Sequence, residues 1–247
     1  MTDPIPEKDQ HFLIDKKILK KEIEIAKLTE EDVVIEIGAG PGILTEELCK
    51  KVGRVITFEI DERFKEELSK LERQVDNLRV IYGSALDHSW NGTKIVANIP
   101  YSLSEQTIMK AVEEKIPFLV LIIGENFKNL LEEKESKIGI IANLAYGVEI
   151  VEEVPRKAFD PIPRVDSYLI RLKEKNKTKK EELILDILRK NGKIKNAIMY
   201  SLVAQGKTKN QSREIIKKLE IDENVLEKPV KSITGNFLKL LIERIII

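Results

Sequence analysis

Short apolar runs recur along the first half of the chain and are separated by amphipathic or strongly charged stretches. Such runs are typical of buried strands, and the sequence predicts five, at residues 33–38, 54–61, 78–82, 94–98 and 117–123. The other stretches predict helices at residues 18–28, 43–51, 62–73 and 105–114. Strands separated by helices favour parallel pairing through right-handed crossovers. The pattern therefore predicts an α/β fold with a doubly wound, Rossmann-like sheet.

The pattern changes in the second half of the chain. Two further strands are predicted at residues 148–154 and 167–172, and we expect them to pair antiparallel at one edge of the sheet. A polar segment without a strong apolar period follows at residues 172–182 and marks a boundary. Beyond it the spacing predicts helices only, at residues 183–189, 195–203, 212–219 and 236–246. We therefore expect a Rossmann-like domain over residues 1–175 and a small all-α C-terminal domain over residues 176–247.

Composition narrows the class of protein. The chain has 247 residues, of which 42% are hydrophobic and 34% charged, which is enough apolar material for a sizeable core. A single cysteine, Cys49, excludes an internal disulfide, and with only two histidines no metal site is expected. No apolar run approaches the roughly 20 residues that span a bilayer, and the first ten residues lack the apolar centre of a signal peptide. We expect a cytoplasmic protein without a membrane or metal partner.

Charge is unevenly distributed although the net charge is zero. Residues 173–247 contain 18 Lys and Arg against 10 Asp and Glu, a net charge of +8, which leaves −8 for residues 1–172. Residues 187–213 contain seven basic side chains and no acidic one. A basic tail on an acidic body indicates a polyanion partner such as nucleic acid, whereas the alternative is an ordinary solvated helix surface. The candidate contacts are Lys190, Lys193, Lys195, Lys207 and Lys209.

A glycine-rich segment, EIGAGPGILT at residues 36–45, joins the first predicted strand to a helix. In a doubly wound sheet this place lies at the carboxyl ends of the strands, where ligands bind. The third glycine comes one position too early for the dinucleotide fingerprint, and the loop better fits the amino-acid end of S-adenosylmethionine. Glu59, which ends the second strand, can accept hydrogen bonds from both hydroxyls of a ribose. Nicotinamide enzymes share this feature, so Glu59 indicates an adenosine cofactor without identifying it. The alternative is a glycine-rich helix start beside a surface Glu.

The tetrapeptide Asn98-Ile99-Pro100-Tyr101 follows the fourth predicted strand, at the same edge of the sheet. Its chemistry suits methylation of an exocyclic amine such as adenine N6, whose lone pair is delocalised into the ring. The Asn98 side chain and the Pro100 main chain can each offer a carbonyl to the amine hydrogens, and Tyr101 can stack on the base. Since a sulfonium methyl is already electrophilic, alignment matters more than a strong base. Taken alone, the tetrapeptide is also typical of an ordinary turn.

The chain resembles the ribosomal RNA adenine dimethyltransferases over almost its whole length. Six segments carry the resemblance, namely Gln10-His11-Phe12-Leu13, residues 36–45, Glu59, residues 98–101, FDPIPRVDS at residues 159–167 and KPVKSITGNF at residues 228–237. The last two are the specific ones, because many amino-methyltransferases share the first four.

The resemblance implies S-adenosylmethionine-dependent N6,N6-dimethylation of two adjacent adenosines near the 3′ end of small-subunit ribosomal RNA, in ribosome biogenesis. The implied partner is the immature small subunit. The resemblance also implies a monomer whose basic C-terminal helices bind the RNA. The implied catalytic residues are Asn98, Pro100, Tyr101 and Phe159, with the two aromatic rings holding the flipped base. The implied cofactor contacts are Gln10, His11, Leu13, Glu36, Gly38, Ala39, Gly40, Gly42, Glu59, Ile60, Ser84, Ala85 and Asn98.

The chain departs from the family's pattern in places. Ser84 stands where the family has an Asp that is expected to hold the cofactor's adenine amino group. Gly124-Glu125-Asn126 stands where Gln-Lys-Glu is usual. These departures leave two alternatives open: a divergent relative that methylates large-subunit RNA, or an RNA-binding assembly factor with weakened catalysis.

Overall fold

A computed structural model describes residues 10–245 of the chain, so the first nine residues, where we looked for a signal peptide, lie outside it. The strands are β1 (Phe12–Leu13), β2 (Val33–Ile37), β3 (Arg54–Glu59), β4 (Leu78–Tyr82), β5 (Lys94–Ala97), β6 (Phe118–Gly124), β7 (Tyr146–Val154), β8 (Phe159–Asp160) and β9 (Ser167–Glu174). The helices are α1 (Lys16–Ile25), α2 (Ile43–Cys49), α3 (Lys65–Gln74), α4 (Ser104–Glu113), α5 (Glu125–Glu133), α6 (Lys137–Ala145), α7 (Lys179–Arg189), α8 (Ile194–Ala204), α9 (Lys209–Lys218), α10 (Glu223–Leu226) and α11 (Gly235–Arg244).

The main sheet has the strand order β4-β3-β2-β5-β6-β9-β7. The five strands from β4 to β6 pair in parallel, and β9 pairs antiparallel with β6. The predicted α/β class and all five predicted parallel strands are confirmed, and β7 and β9 lie together at one edge as expected. The strand order reverses between β2 and β5, so their carboxyl ends open a crevice of the kind that binds ligands in such sheets.

The helices α1, α2 and α3 begin and pack as their sequences dictate. Asp15 precedes α1, and its Oδ1 accepts the main-chain N–H of Lys17 at 2.8 Å, which satisfies a free donor at the helix start. The apolar side chains of these helices join Val34, Val55 and Val96 of the sheet in one buried cluster. These valines alternate with residues that point to the other face of the sheet. The helices α1, α2 and α3 therefore pack on the face that carries the valines.

Two small elements complete this part of the chain. The strand β1 pairs antiparallel with β8, so that Phe12 lies opposite Asp160 and Leu13 lies opposite Phe159. Short 3₁₀ turns follow β3, β4 and β5 at Glu62–Phe64, Ala85–Asp87 and Tyr101–Leu103. These turns stand at the carboxyl edge of the sheet, where the glycine loop after β2 also lies.

The chain forms two compact units, and the first is interrupted. The first unit runs to Asn129 and resumes over Gly147–Glu174, whereas the second comprises Leu130–Tyr146 and the chain from Lys175 onward. The predicted boundary near residue 175 coincides with the later crossing. The predicted first domain also held residues 130–146, but α6 is mostly apolar and contacts α7 and α11 of the second unit.

The second unit is helical, as predicted for the C-terminal part. Two of its helices begin with a capping box, in which Thr178 pairs with Glu181 and Thr208 pairs with Gln211. Its core is formed by buried apolar side chains of α6, α7, α8 and α11. Over residues 10–245, none of the helices combines the length and the apolar character that crossing a membrane requires.

Candidate active site

A cavity of about 450 Å³ opens in the first unit at the carboxyl ends of the parallel strands. It collects residues from the ends of β2, β3, β4 and β5 and from the N-terminal segment. The sequence-predicted site residues that line it are Gln10, His11, Gly38, Glu59, Ile60, Ser84, Ala85, Asn98, Pro100, Tyr101 and Phe159. Segments as far apart in sequence as Gln10 and Phe159 therefore meet around one space.

Glu59 lies buried at the end of β3 and is held by main-chain donors. Its Oε2 accepts the N–H of Gly40 at 2.7 Å, and its Oε1 accepts the N–H of Asp61 at 2.7 Å. Burial raises the pKa of the Glu59 carboxyl, and these two N–H groups oppose that rise. Gly40 has φ +52°, and a Cβ there would stand 3.0 Å from the Phe12 ring, so only glycine brings this N–H to the acid without strain.

The N-terminal segment is tied to the loop after β3. Gln10 donates from Nε2 to Asp61 Oδ2 at 2.9 Å, and Arg63 donates to the same carboxylate at 2.6 Å. Arg63 also donates to Gln10 Oε1 at 2.8 Å. The Arg63 guanidinium holds the pKa of the Asp61 carboxyl well below its usual range. This network places Gln10 and His11 on the wall of the cavity.

Asn98 follows the last residue of β5 and lines the cavity. Its Oδ1 is buried and accepts no hydrogen bond from the described residues. A buried acceptor without a partner is uncommon and calls for an explanation. The neighbouring Pro100 carbonyl accepts the Leu103 N–H at 2.9 Å, which leaves it one further lone pair. Two carbonyl oxygens are therefore available within three residues.

Tyr101 is fixed on three sides. Its hydroxyl shares a hydrogen bond of 2.5 Å with Ser167 Oγ. A Cβ on Gly124 would stand 3.3 Å from the Tyr101 ring, so the ring packs directly on the glycine backbone. The His11 ring stacks at 6.0 Å between centroids, with an interplanar angle of 25°, and His11 Nδ1 lies 2.9 Å from the Pro161 carbonyl oxygen. The aromatic face is thus held rigidly beside Asn98.

Phe159 lies on the cavity wall at the start of β8. Only 3% of its surface is exposed, because it pairs with Leu13 in the small β1–β8 ladder and joins the apolar cluster. Both aromatic residues predicted from the sequence, Tyr101 and Phe159, therefore border the same cavity.

Some predicted cofactor residues lie behind the cavity wall. Leu13, Glu36 and Ala39 line a smaller adjoining pocket, and Gly40 and Gly42 line neither space. The Glu36 carboxyl is buried and accepts from the Thr45 hydroxyl at 2.6 Å, and burial raises its pKa to about 7. These residues shape the loop around the cavity in this structure.

Ser84 lines the cavity where the resemblance implied an acid. Its Oγ accepts the Leu86 main-chain N–H at 3.3 Å and so caps the following 3₁₀ turn. Asp87 is exposed and does not line the cavity. The hydroxyl of Ser84 still carries its own O–H, but part of its accepting capacity is used by the turn.

Sequence reasoning missed the apolar part of the wall. The cavity is also lined by Ile37, Phe58, Gly83, Leu86, Ile99, Leu103, Thr107 and Ile122. Most of these are strand ends or helix residues whose apolar character is equally typical of core. Ile60, which the resemblance included, is 71% exposed although it borders the cavity.

The five predicted RNA-contacting lysines lie in the second unit and differ in their partners. Lys193 pairs with Glu227 at 2.6 Å, and Lys195 pairs with Glu223 at 3.0 Å. Lys190, which directly follows α7, pairs with Asp186 of that helix at 3.1 Å. By contrast, within residues 10–245 the side chains of Lys207 and Lys209 form no ion pair. The three acids that pair with these lysines lie outside residues 187–213, the stretch that contains no acidic side chain.

Searching the described part of the chain finds no group of three or more His, Cys, Asp or Glu side chains arranged to hold a metal ion.

Comparison with known proteins adds a family context. Residues 6–237 match the family model described as ribosomal RNA adenine dimethylase. A probable ribosomal RNA small subunit methyltransferase A from Methanopyrus kandleri is 33% identical over 238 residues, covering 90% of this chain and 85% of that protein. The protein of the same description from Methanococcus maripaludis is 32% identical over 244 residues, covering 91% and 93%.

Two solved structures share the fold. A dimethyladenosine transferase from Plasmodium falciparum superposes with a TM-score of 0.64 at 26% identity, covering 94% of this chain and 96% of that one. The 23S rRNA methyltransferase ErmE also gives a TM-score of 0.64, at 20% identity, covering 95% of this chain and 99% of that one. The second likeness supports the fold alone.

Proposed function

Because this chain belongs to the ribosomal RNA adenine dimethylase family, we propose that it transfers methyl groups from S-adenosylmethionine to N6 of two adjacent adenosines near the 3′ end of small-subunit ribosomal RNA. The observation that carries the proposal is the Asn98 side chain, whose buried Oδ1 lacks a partner at a cavity bordered by Tyr101 and Phe159. An exocyclic amine supplies the hydrogen bond that this acceptor lacks, and a flat base fits between aromatic faces.

The cavity also fits the cofactor. Each oxygen of the Glu59 carboxyl uses one lone pair for a main-chain N–H and keeps another for a ribose hydroxyl. Ile60 and Ala85 offer apolar surface to an adenine ring, and Ser84 offers a hydroxyl. When bound, S-adenosylmethionine supplies a methyl group on a positively charged sulfur, which is the electrophile. The cavity volume of about 450 Å³ lies within the usual range for ligand sites.

The residues of the chain then align the target amine. Asn98 Oδ1 and the Pro100 carbonyl accept the two N–H bonds of the amine, which favours a more tetrahedral and more nucleophilic nitrogen. Since Asn98 stays neutral at all working pH values, it orients the amine and takes no proton, and the proton that the methylated nitrogen releases passes to water. Tyr101 is held by Ser167 and Gly124 before any base arrives, so little ordering entropy is lost on binding. Base–aromatic stacking contributes about 1–3 kcal/mol per base.

The RNA itself is contacted by the helical second unit under this proposal. Lys207 and Lys209, which have no acidic partner within residues 10–245, are the strongest candidates for phosphate contacts. The proposal includes the immature small ribosomal subunit as the substrate, a role in ribosome biogenesis, and a protein that acts in the cytoplasm as a monomer.

The test begins with calorimetry of S-adenosylmethionine binding, followed by methyl transfer to small subunits that lack the modification. We expect micromolar cofactor binding and N6,N6-dimethyladenosine in the small-subunit RNA. Methyl transfer to large-subunit RNA alone would favour the first alternative. RNA binding with no methyl transfer to either subunit would contradict the enzyme assignment and favour an assembly factor.

A further inference from the structure

Glu22 is a buried acid in the first unit for which the proposed reaction has so far no role. It lies on α1, where Lys16, Lys17 and Glu24 are exposed, yet its own side chain is 0% exposed. Neither of its carboxyl oxygens accepts or donates a hydrogen bond within residues 10–245. A carboxyl buried without partners is costly to the fold. Such a group is typical of a functional site.

The side chain that faces Glu22 is Asn98. Val34 and Glu36 point to one face of the sheet, because they are two positions apart along a strand. Val96 and Asn98 are also two positions apart and point to the same face. The helix α1 packs on that face. Asn98 acts on the Glu22 carboxyl as a hydrogen-bonding neighbour, although the two groups do not reach normal hydrogen-bond geometry in this structure.

A carboxamide can present either its oxygen or its nitrogen, and its surroundings decide which. The Asn98 amide has no hydrogen bond to other described side chains that would decide it. An ionised carboxylate can only accept, so it attracts the Nδ2 end. We propose, on the premise of the proposed function, that Glu22 is a positioning residue that takes the Asn98 Nδ2–H₂ and thereby leaves Oδ1 for the target amine.

Titration of Glu22 then controls this orientation. Burial raises the pKa of Glu22 to about 8, the nearby Glu36 carboxyl raises it further, and the Asn98 amide opposes the rise. A protonated Glu22 carries an O–H that competes for Asn98 Oδ1, whereas the ionised form releases it. The other groups that act on this region are Glu36, which faces Thr45 and Thr57, and beyond it Glu59. Methyl transfer is therefore expected to rise with pH through about 8.

The first measurement needs no methyl transfer. With ¹⁵N-labelled asparagine, the side-chain amide signals of Asn98 are identified by their loss in Asn98→Ala. We expect them to shift between about pH 6.5 and 9.5 with a midpoint near the titration of Glu22, and we expect Glu22→Gln to abolish that shift. Glu24→Gln, an exposed acid two positions away, is the control and should leave the shift intact. An Asn98 signal that is insensitive to pH, or equally sensitive in Glu22→Gln, overturns the inference.

The second measurement is the single-turnover rate of methyl transfer to undermethylated small subunits, with both substrates saturating. From pH 7 to 9 the ionised fraction of a group with a pKa near 8 rises about tenfold, and the wild-type rate should follow. Glu22→Gln should be slower at pH 9 and vary less than about twofold over this range, with cofactor affinity unchanged. A wild-type pH profile in Glu22→Gln contradicts the positioning role. A wild type that transfers no methyl at any pH, while the Asn98 shift persists, contradicts the proposed function and leaves the Glu22–Asn98 contact supported.

Discussion

The two units of the molecule handle charge in opposite ways. In the first, Glu22, Glu36 and Glu59 are buried, and burial raises the pKa of each. In the second, charges lie at the surface as ion pairs such as Lys193–Glu227. Exposed pairs contribute only about 0–1 kcal/mol each, whereas buried acids cost stability unless they are compensated. The first unit therefore buries several acids at a cost to stability, whereas the exposed ion pairs of the second unit cost little to break.

The largest effect is expected at the cavity, from Asn98→Ala. Because Oδ1 has no partner in the described structure, its removal breaks no hydrogen bond, and Glu22 can tolerate the loss of the Nδ2 end by staying protonated. Methyl transfer should fall by about 100-fold or more, as when other preorganised hydrogen-bonding groups are removed from active sites. The melting temperature should stay within a few degrees of wild type. Single-turnover kinetics and thermal unfolding measure the two quantities.

Asn77→Ala is the matched control, since the same change removes a purely structural amide. Asn77 Nδ2 donates to the main-chain carbonyls of Cys49 and Val52 at 2.9 and 2.7 Å. Its loss should lower the free energy of unfolding by about 1–3 kcal/mol and leave the rate constant of the folded enzyme unchanged. If Asn98→Ala instead behaves like Asn77→Ala, Asn98 is a turn residue.

Ser84→Asp should strengthen cofactor binding by about tenfold, which corresponds to about 1.4 kcal/mol. An ionised Asp can cap the turn at Leu86 and still accept from the adenine amino group, which Ser84 does less well. Ser84→Asn is the control of equal shape without charge and should gain less. Calorimetry with S-adenosylmethionine measures both. Equal affinity in wild type and Ser84→Asp would place the adenine elsewhere.

The buried acids predict an unusual dependence of stability on pH. The pKa values of Glu22 and Glu36, about 8 and about 7, lie above those of an unfolded chain. The native state then binds more protons than the unfolded state between about pH 5 and 8, so the free energy of unfolding falls as pH rises through that window. Thermal unfolding from pH 5 to 9 should show a decrease on the order of a few kcal/mol. Glu22→Gln and Glu36→Gln should each flatten it, and a flat wild-type curve would contradict the burial argument.

The smallest effect tests the helical unit. Lys207 and Lys209 have no acidic partner within residues 10–245. The double variant Lys207→Ala with Lys209→Ala should reduce the salt slope of small-subunit RNA binding by about 1.5–2. Lys193→Ala with Lys195→Ala should reduce it less, because Glu227 and Glu223 already neutralise these side chains. Titrations at several salt concentrations compare the two double variants. Equal slopes would show that RNA displaces the glutamates.

The sheet was predictable because its apolar runs are short and strongly punctuated, and all five parallel strands lie within two residues of their predicted positions. The helices α5 and α6 were not predicted. The α6 sequence KIGIIANLA is mostly apolar, so it has no clear amphipathic period, and its partners α7 and α11 begin about 40 and about 100 residues later. Pairing between distant segments leaves no local pattern.

The same limit applies to the site. The residues at the strand ends could be predicted, since parallel strands bring their carboxyl ends to one edge. The acidic partners of Lys193 and Lys195 could not be predicted. Counting charges along the chain does not show that Glu223 and Glu227, at α10, lie close to these lysines in the fold. Glu22 was invisible for a related reason: it stands among five other charged residues of α1 and differs from them only in burial.

The interrupted path of the first unit has a consequence for biosynthesis. Residues 130–146 leave the ribosome before β7 and β9, yet their apolar side chains, such as Ile138 and Ile141, are covered in the second unit, which is completed last. The helices that pack on this segment, α7 and α11, follow β9, and α11 ends only at Arg244, so the segment is fully covered only when nearly the whole chain has been made. A polypeptide that ends at Glu174 would contain the apolar residues 130–146 but lack the helices that bury them. Early termination should therefore yield aggregates rather than a folded first unit.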